Sequence, residues 1–133
     1  MTTALDSSVL WAILKREASS QAWLETLMMA ASEGPLVISP VAFAELAPST
    51  THAASLCDFL ERMQIRYDPI SEEAAFLAGS MFRQYRLAGG PRQHLVPDFV
   101  IAGHARIQAD RLAANDRGYL RKWFPDLTLL QIP

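Results

Sequence analysis

Cysteine is almost absent from the chain: Cys57 stands alone, so no intrachain disulfide can form. Within "AASLCDFL" its setting predicts a small buried hydrophobe rather than a reactive thiol. Histidine is scarce too. His52, His94 and His104 are dispersed, and with Cys57 they make no set at zinc-ligand spacing. No apolar run approaches the ~18 residues of a membrane helix, and no basic segment leads into an apolar one. The expectation is a soluble cytoplasmic protein with no membrane part. Repeats and low-complexity linkers are also missing. At 133 residues, half of them apolar, the chain is long enough to bury a core without staples and predicts one domain over 1–133.

Neither sign of charge dominates, since the net charge is −2, but the distribution is uneven. Residues 1–79 hold only Lys15, Arg16, Arg62 and Arg66 among a larger number of acids. Residues 80–122 hold Arg83, Arg86, Arg92, Arg106, Arg111, Arg117, Arg121 and Lys122 against Asp98, Asp110 and Asp116. A basic region of this kind attracts a polyanion even when the whole chain is acidic; arginines that merely solvate helix faces would look the same.

Hydrophobic patterning alternates short strands with helices. "TALD" is strand-sized and is followed by "SSVLWAILK", in which Val9, Leu10, Ile13 and Leu14 share one helical face and Ser7 or Ser8 is available as a cap. A second helix carries Trp23, Leu24, Leu27, Met28 and Ala31 on one side and stops at "EGP". "LVI" is a strand, and Ser39–Pro40 then opens a helix as N-cap and first helical residue, with Pro48 ending it. "THAASLCDFLERM" predicts a helix, Ile65–Tyr67 a strand, and "SEEAAFLAGSMFRQYRLAGG" a long helix leaving through its glycines. Pro97 opens the apolar helix "PDFVIAGHARI"; "RLAAN", "RGYLRKWF" and "LTLLQI" complete the series as strand, helix and strand. This order predicts an α/β fold with a parallel sheet and helices on both faces, whose ligands bind at the carboxyl ends of the strands.

Four acids fall at that edge. Asp6 lies where the first strand meets its helix, and Asp116 where "RLAAN" ends. Glu45 lies about one and a half turns into the helix after the second strand, among the apolar residues of "VAFAELA". Asp98 sits in the first turn of its helix, beside exposed N–H groups. Singly, each has an ordinary structural use: an N-cap, a solvated helix residue, a dipole partner, a turn with Asn115. Gathered within ~5 Å, they would repel by roughly 3 kcal/mol per pair at an effective dielectric near 20, which calls for a compensating cation. An all-oxygen set suits Mg²⁺ or Mn²⁺.

The stretches "LDSSVL", "SPVAFAEL", "YRLAGG…LVPDFVIAGHARI" and "LAANDRGYLRKWFPDLTLL" together resemble a PIN-domain ribonuclease, and most of all the VapC-type toxins of bacterial toxin–antitoxin pairs. The resemblance covers nearly the whole chain, and the order and spacing of the four acids are its specific part. It implies a PIN-like three-layer α/β/α fold around a short-stranded parallel sheet. It also implies an acidic pocket of Asp6, Glu45, Asp98 and Asp116, with Asp6, Asp98 and Asp116 as ligands of Mg²⁺ or Mn²⁺. Glu45 is then either a ligand or the group that positions the attacking water, and Ser8 supports the carboxylates. Ala114 departs from the pattern, because the family commonly carries Thr or Ser two residues before the last aspartate.

The activity so implied is metal-assisted endonucleolytic hydrolysis of RNA, leaving 5′-phosphate and 3′-hydroxyl ends. Arg117, Arg121, Arg86 and Arg92 are the first candidates to hold the phosphates, with Arg83 and Lys122 beside them. The implied partners are a VapB-type antitoxin and a second copy of the chain. A non-catalytic PIN-fold module that only docks RNA or protein is the alternative, which the intact quartet of acids disfavours. A receiver domain would need a lysine after the last strands, and a dehalogenase-like phosphatase an aspartate where Ser8 stands; neither is present.

Overall fold

The structure is a computed structural model that describes every residue except 92–95 and 116–117. Five short parallel strands form one sheet: β1 (Thr3–Leu5), β2 (Leu36–Ile38), β3 (Ile65–Tyr67), β4 (Arg111–Ala113) and β5 (Leu129–Leu130), in the order β3-β2-β1-β4-β5. Thr3 pairs with Leu36 on one side and Arg111 on the other, which fixes β1 as the central strand. Seven α-helices accompany the strands among the described residues: α1 (Ser7–Leu14), α2 (Ser20–Glu33), α3 (Pro40–Leu46), α4 (Ala53–Arg62), α5 (Glu72–Leu87), α6 (Val96–Gln108) and α7 (Tyr119–Trp123). With the right-handed crossovers general to such sheets, this order assigns α1–α4 to one face and α5–α7 to the other, the three-layer α/β/α arrangement expected from the sequence.

Local chemistry explains the helix starts. Ser39 Oγ accepts from the Ala42 N–H at 3.2 Å with Pro40 behind it, and Ser71 Oγ accepts from the Ala74 N–H at 3.1 Å. Pro48 turns the end of α3 into a single 3₁₀ turn, Ala47–Ser49. The observed elements are one to three residues shorter than the expected ones at most ends, and "LTLLQI" contributes only Leu129–Leu130 to the sheet.

The core runs through all three layers. Trp23, Leu10, Ile38 and Leu46 lie on one side, and Phe99, Ile101 and Leu112 are fully enclosed with them. Gly103 lets α5 and α6 meet closely, since a Cβ there would stand 2.8 Å from the Ala74 carbonyl oxygen. Two expectations are corrected on the α2–α4 side. Cys57 is exposed, because Leu56 and Leu60 supply the buried stripe of α4 and Cys57 lies off it. Met28, expected on the apolar side of α2, is 73% exposed, because Trp23, Leu27 and Ala30 form the inward face of that helix.

Candidate active site

In a parallel sheet ordered 3-2-1-4-5 the chain winds outward in opposite directions from β1 and β4, and in folds of this kind the crevice that takes ligands lies beyond the carboxyl ends of the strands at that switch point. Asp6 is the first residue past β1. Its N–H donates to the Ala113 carbonyl at 3.0 Å, tying the end of β1 to the end of β4. It occupies the N-cap position of α1 with extended backbone, yet its side chain caps no helix N–H. Ser8 Oγ donates to Asp6 Oδ2 instead. Asp6 is 7% exposed, so the Ser8 hydroxyl grips a carboxylate largely withdrawn from solvent.

Glu45 comes to the same place from α3. Ser7 Oγ donates to Glu45 Oε1 at 2.9 Å, and the Trp11 indole N–H donates to the Glu45 carbonyl at 3.2 Å. Two adjacent serines of α1 thus grip two carboxylates from different elements. Ser8 was expected in that role; Ser7 was read from sequence only as a possible cap. Nothing in "DSSVL" distinguishes the two serines, because the distinction depends on where α3 lies.

Asp98 is half-buried in the first turn of α6, whose body lies against β1, β4 and α3. Its neighbour Phe99 is fully buried in an aromatic cluster, with ring centroids 5.7 Å from Phe82, 5.5 Å from Tyr85 and 5.5 Å from Phe124. Tyr85 in turn meets Trp123 at 5.8 Å. This cluster joins the end of α5, the start of α6 and α7 directly behind Asp98, and so anchors the turn that carries it. Asp116, Arg117 and Arg92 lie outside the described residues; Asp116 follows β4 by three positions.

The same cluster gathers basic elements. Arg83 and Arg86 lie exposed on the last turns of α5, and Arg86 Nη1 donates to the Gly90 carbonyl at 2.7 Å. Arg121 on α7 donates to Gln131 Oε1 at 3.1 Å, and Lys122 Nζ stands 5.2 Å from the centre of the Trp123 ring. Arg111 belongs to the opposite edge of the sheet, where it bonds Thr3 Oγ1 at 2.9 Å and Glu33 at 3.3 Å.

His104 is only 1% exposed and its Nε2–H donates to Asp68 Oδ2 at 2.8 Å, with Gln108 Nε2 reaching the same oxygen at 3.1 Å. This network secures the segment between β3 and α5.

The donor chemistry at the crevice is compatible with a hard divalent ion. The carboxylates of Asp6 and Glu45 are oriented by hydroxyls, the supporting pattern typical of metal ligands. Among the described residues no three His, Cys, Asp or Glu side chains gather closely enough to hold an ion by themselves.

Comparison with known proteins agrees with this architecture. No curated protein matches the chain. VapBC2 from Rickettsia felis, solved bound to a DNA fragment from its promoter, is similar in structure with a TM-score of 0.76 at 18% identity, covering 100% of both chains. VapBC-1 from nontypeable Haemophilus influenzae gives 0.72 at 18% identity over 98% of both chains, and FitAcB from Neisseria gonorrhoeae 0.66 at 18% over 96% of both. At that identity the likeness is one of fold. The PIN domain model matches residues 3–123, from the first strand through α7, and the chain therefore belongs to the PIN domain family.

Proposed function

We propose that this PIN domain is a VapC-type toxin: an endoribonuclease dependent on Mg²⁺ or Mn²⁺ that hydrolyses RNA phosphodiester bonds. The observation that carries the reading is the pairing of Asp6 and Glu45 at the carboxyl edge, each held by its own serine of α1. Asp6, Asp98 and Asp116 would hold the ion through their oxygens. Glu45 either joins them or orients the attacking water, and Ser8 keeps the Asp6 carboxylate in one rotamer. When bound, the ion lowers the pKa of a coordinated water and neutralises charge at the scissile phosphate. No protein nucleophile is required, and the products carry 5′-phosphate and 3′-hydroxyl ends.

The carboxylates repel a polyanion, so cations must draw the strand in. Arg117, Arg121, Arg86 and Arg92 serve as phosphate contacts, aided by Arg83 and Lys122; for Arg83, Arg86, Arg121 and Lys122, the packing of α5 against α6 and α7 through Tyr85, Phe99 and Trp123 supports the grouping. The fold neighbours are VapBC and FitAcB assemblies, which supports an antitoxin of the VapB type as partner. A homodimer and a cytoplasmic location belong to the same proposal. No helix among the described residues is long and apolar enough to cross a membrane.

Total bacterial RNA incubated with the purified chain in Mg²⁺, in EDTA, and with Asp98→Asn in Mg²⁺ tests the reading. Cleavage in the first condition alone is expected, with the variant slower by at least about 100-fold. Equal cleavage under all three conditions, or none by a folded wild-type chain, overturns it in favour of a module that only docks.

A further inference from the structure

We infer that Ser7 is a positioning residue for Glu45, with a task distinct from that of Ser8; this rests on the reading of the crevice as a metal-dependent nuclease centre. Ser7 is the first residue of α1 and is 8% exposed. Its hydroxyl has one proton to give, and gives it to Glu45 Oε1 at 2.9 Å. The neighbouring hydroxyl of Ser8 is used on Asp6. The two bonds converge on α1 from residues that are far apart in the chain, Asp6 before the helix and Glu45 on α3.

Glu45 needs such a hold more than Asp6 does. An aspartate at the end of a strand has one carbon between backbone and carboxyl and a main chain pinned to β4. A glutamate reaching from the next-to-last residue of α3 has three rotatable bonds and is only half-buried. The Trp11 indole fixes its main-chain carbonyl, which sets where α3 sits. The Ser7 hydroxyl acts further out, on the carboxylate itself. It fixes one carboxylate oxygen beside the N-terminus of α1, one residue away from Asp6. Whether Glu45 binds the ion or directs the water, its second oxygen then works from a fixed pivot.

Ser7→Ala and Ser7→Thr test this, with Ser8→Ala as a companion. Three quantities are read: the melting temperature in EDTA, Mn²⁺ affinity by calorimetry on the metal-free protein, and kcat and KM for cleavage of total bacterial RNA. Ser7→Ala is expected to keep the melting temperature in EDTA, to bind Mn²⁺ more weakly or to lose kcat by about 10- to 100-fold, and to hold KM within about twofold. Ser7→Thr restores the hydroxyl and is expected to recover most of the loss. Wild-type Mn²⁺ affinity and wild-type kcat in Ser7→Ala overturn the proposal. So does a loss that Ser7→Thr does not repair, or one matched by a fall in melting temperature. If the wild-type chain cleaves no RNA, the nuclease reading fails on its own account and Ser7 is judged by Mn²⁺ affinity alone: a weaker value in Ser7→Ala supports its role and an equal value overturns it. A wild-type chain that binds no Mn²⁺ overturns both.

Discussion

Glycine occupies two helices of this molecule under opposite conditions, and the pair isolates the effect of one methyl group. Gly103 lies in α6 where a Cβ would press on the Ala74 carbonyl oxygen at 2.8 Å and on the Ala78 Cβ at 3.0 Å. Gly79 lies in α5 with nothing within 4 Å of such an atom. Alanine gains about 1 kcal/mol over glycine in a helix wherever space allows, whereas overpacking costs about 1–3 kcal/mol. Gly79→Ala is therefore expected to raise the melting temperature and Gly103→Ala to lower it, by a few degrees each. Thermal unfolding followed by circular dichroism checks both; a stabilised Gly103→Ala would show that α5 and α6 can part at little cost. At this scale the sequence was legible where chemistry is local. Close packing at Gly103 could be anticipated from an apolar helix that tolerates a glycine. The division of labour between Ser7 and Ser8 could not, because both serines suit a helix start and only the position of α3 separates them. Cys57 misled for a related reason: helix periodicity admits two neighbouring stripes on α4, and the sheet chose the one with Leu56 and Leu60.

Among the elements, α6 has the most to organise. Its first turn carries Asp98, its middle is buried on almost every side, and its last turns reach the segment between β3 and α5 through His104 and Gln108. Gln108 also donates to the Pro69 carbonyl at 2.9 Å and accepts from the Ser71 N–H at 2.8 Å. Removing the imidazole leaves a cavity and deprives Asp68 of one of its donors, so His104→Ala is expected to cost about 2–4 kcal/mol. Asp68→Asn, which keeps shape and an acceptor oxygen, should cost about 1 kcal/mol. Urea unfolding midpoints distinguish these; a His104→Ala chain as stable as wild type would mean that Gln108 alone secures the segment. The start at Ser39–Pro40 was readable because a cap and its helix are contiguous in sequence. The His104–Asp68 pair was not, since it joins residues 36 positions apart whose meeting depends on how α6 crosses the sheet.

For the whole molecule, the strand order decides what the sequence could only suggest. Alternating strands and helices specify a parallel sheet, but the order β3-β2-β1-β4-β5 is what puts the Asp6 end of β1 beside the end of β4. The uneven charge gains meaning in the same way, since the basic C-terminal end of α5 and the basic α7 meet behind Asp98 through Tyr85 and Trp123. A divalent ion that binds only the folded chain should stabilise all of it: Mn²⁺ at about 100 times its dissociation constant adds about 2.7 kcal/mol. Asp6→Asn should abolish that increment while leaving the melting temperature in EDTA near that of wild type. Scanning calorimetry with and without Mn²⁺ checks this, and an increment surviving in Asp6→Asn would locate the ion elsewhere.

The hydrogen bond from the Asp6 amide to the Ala113 carbonyl has a consequence for whatever enters between β1 and β4. It ties the two strand ends together by main chain, so under the proposed nuclease reading the sheet itself sets how deep a phosphate would descend. Substitutions of the surrounding side chains would then retune grip and reactivity while leaving that depth unchanged.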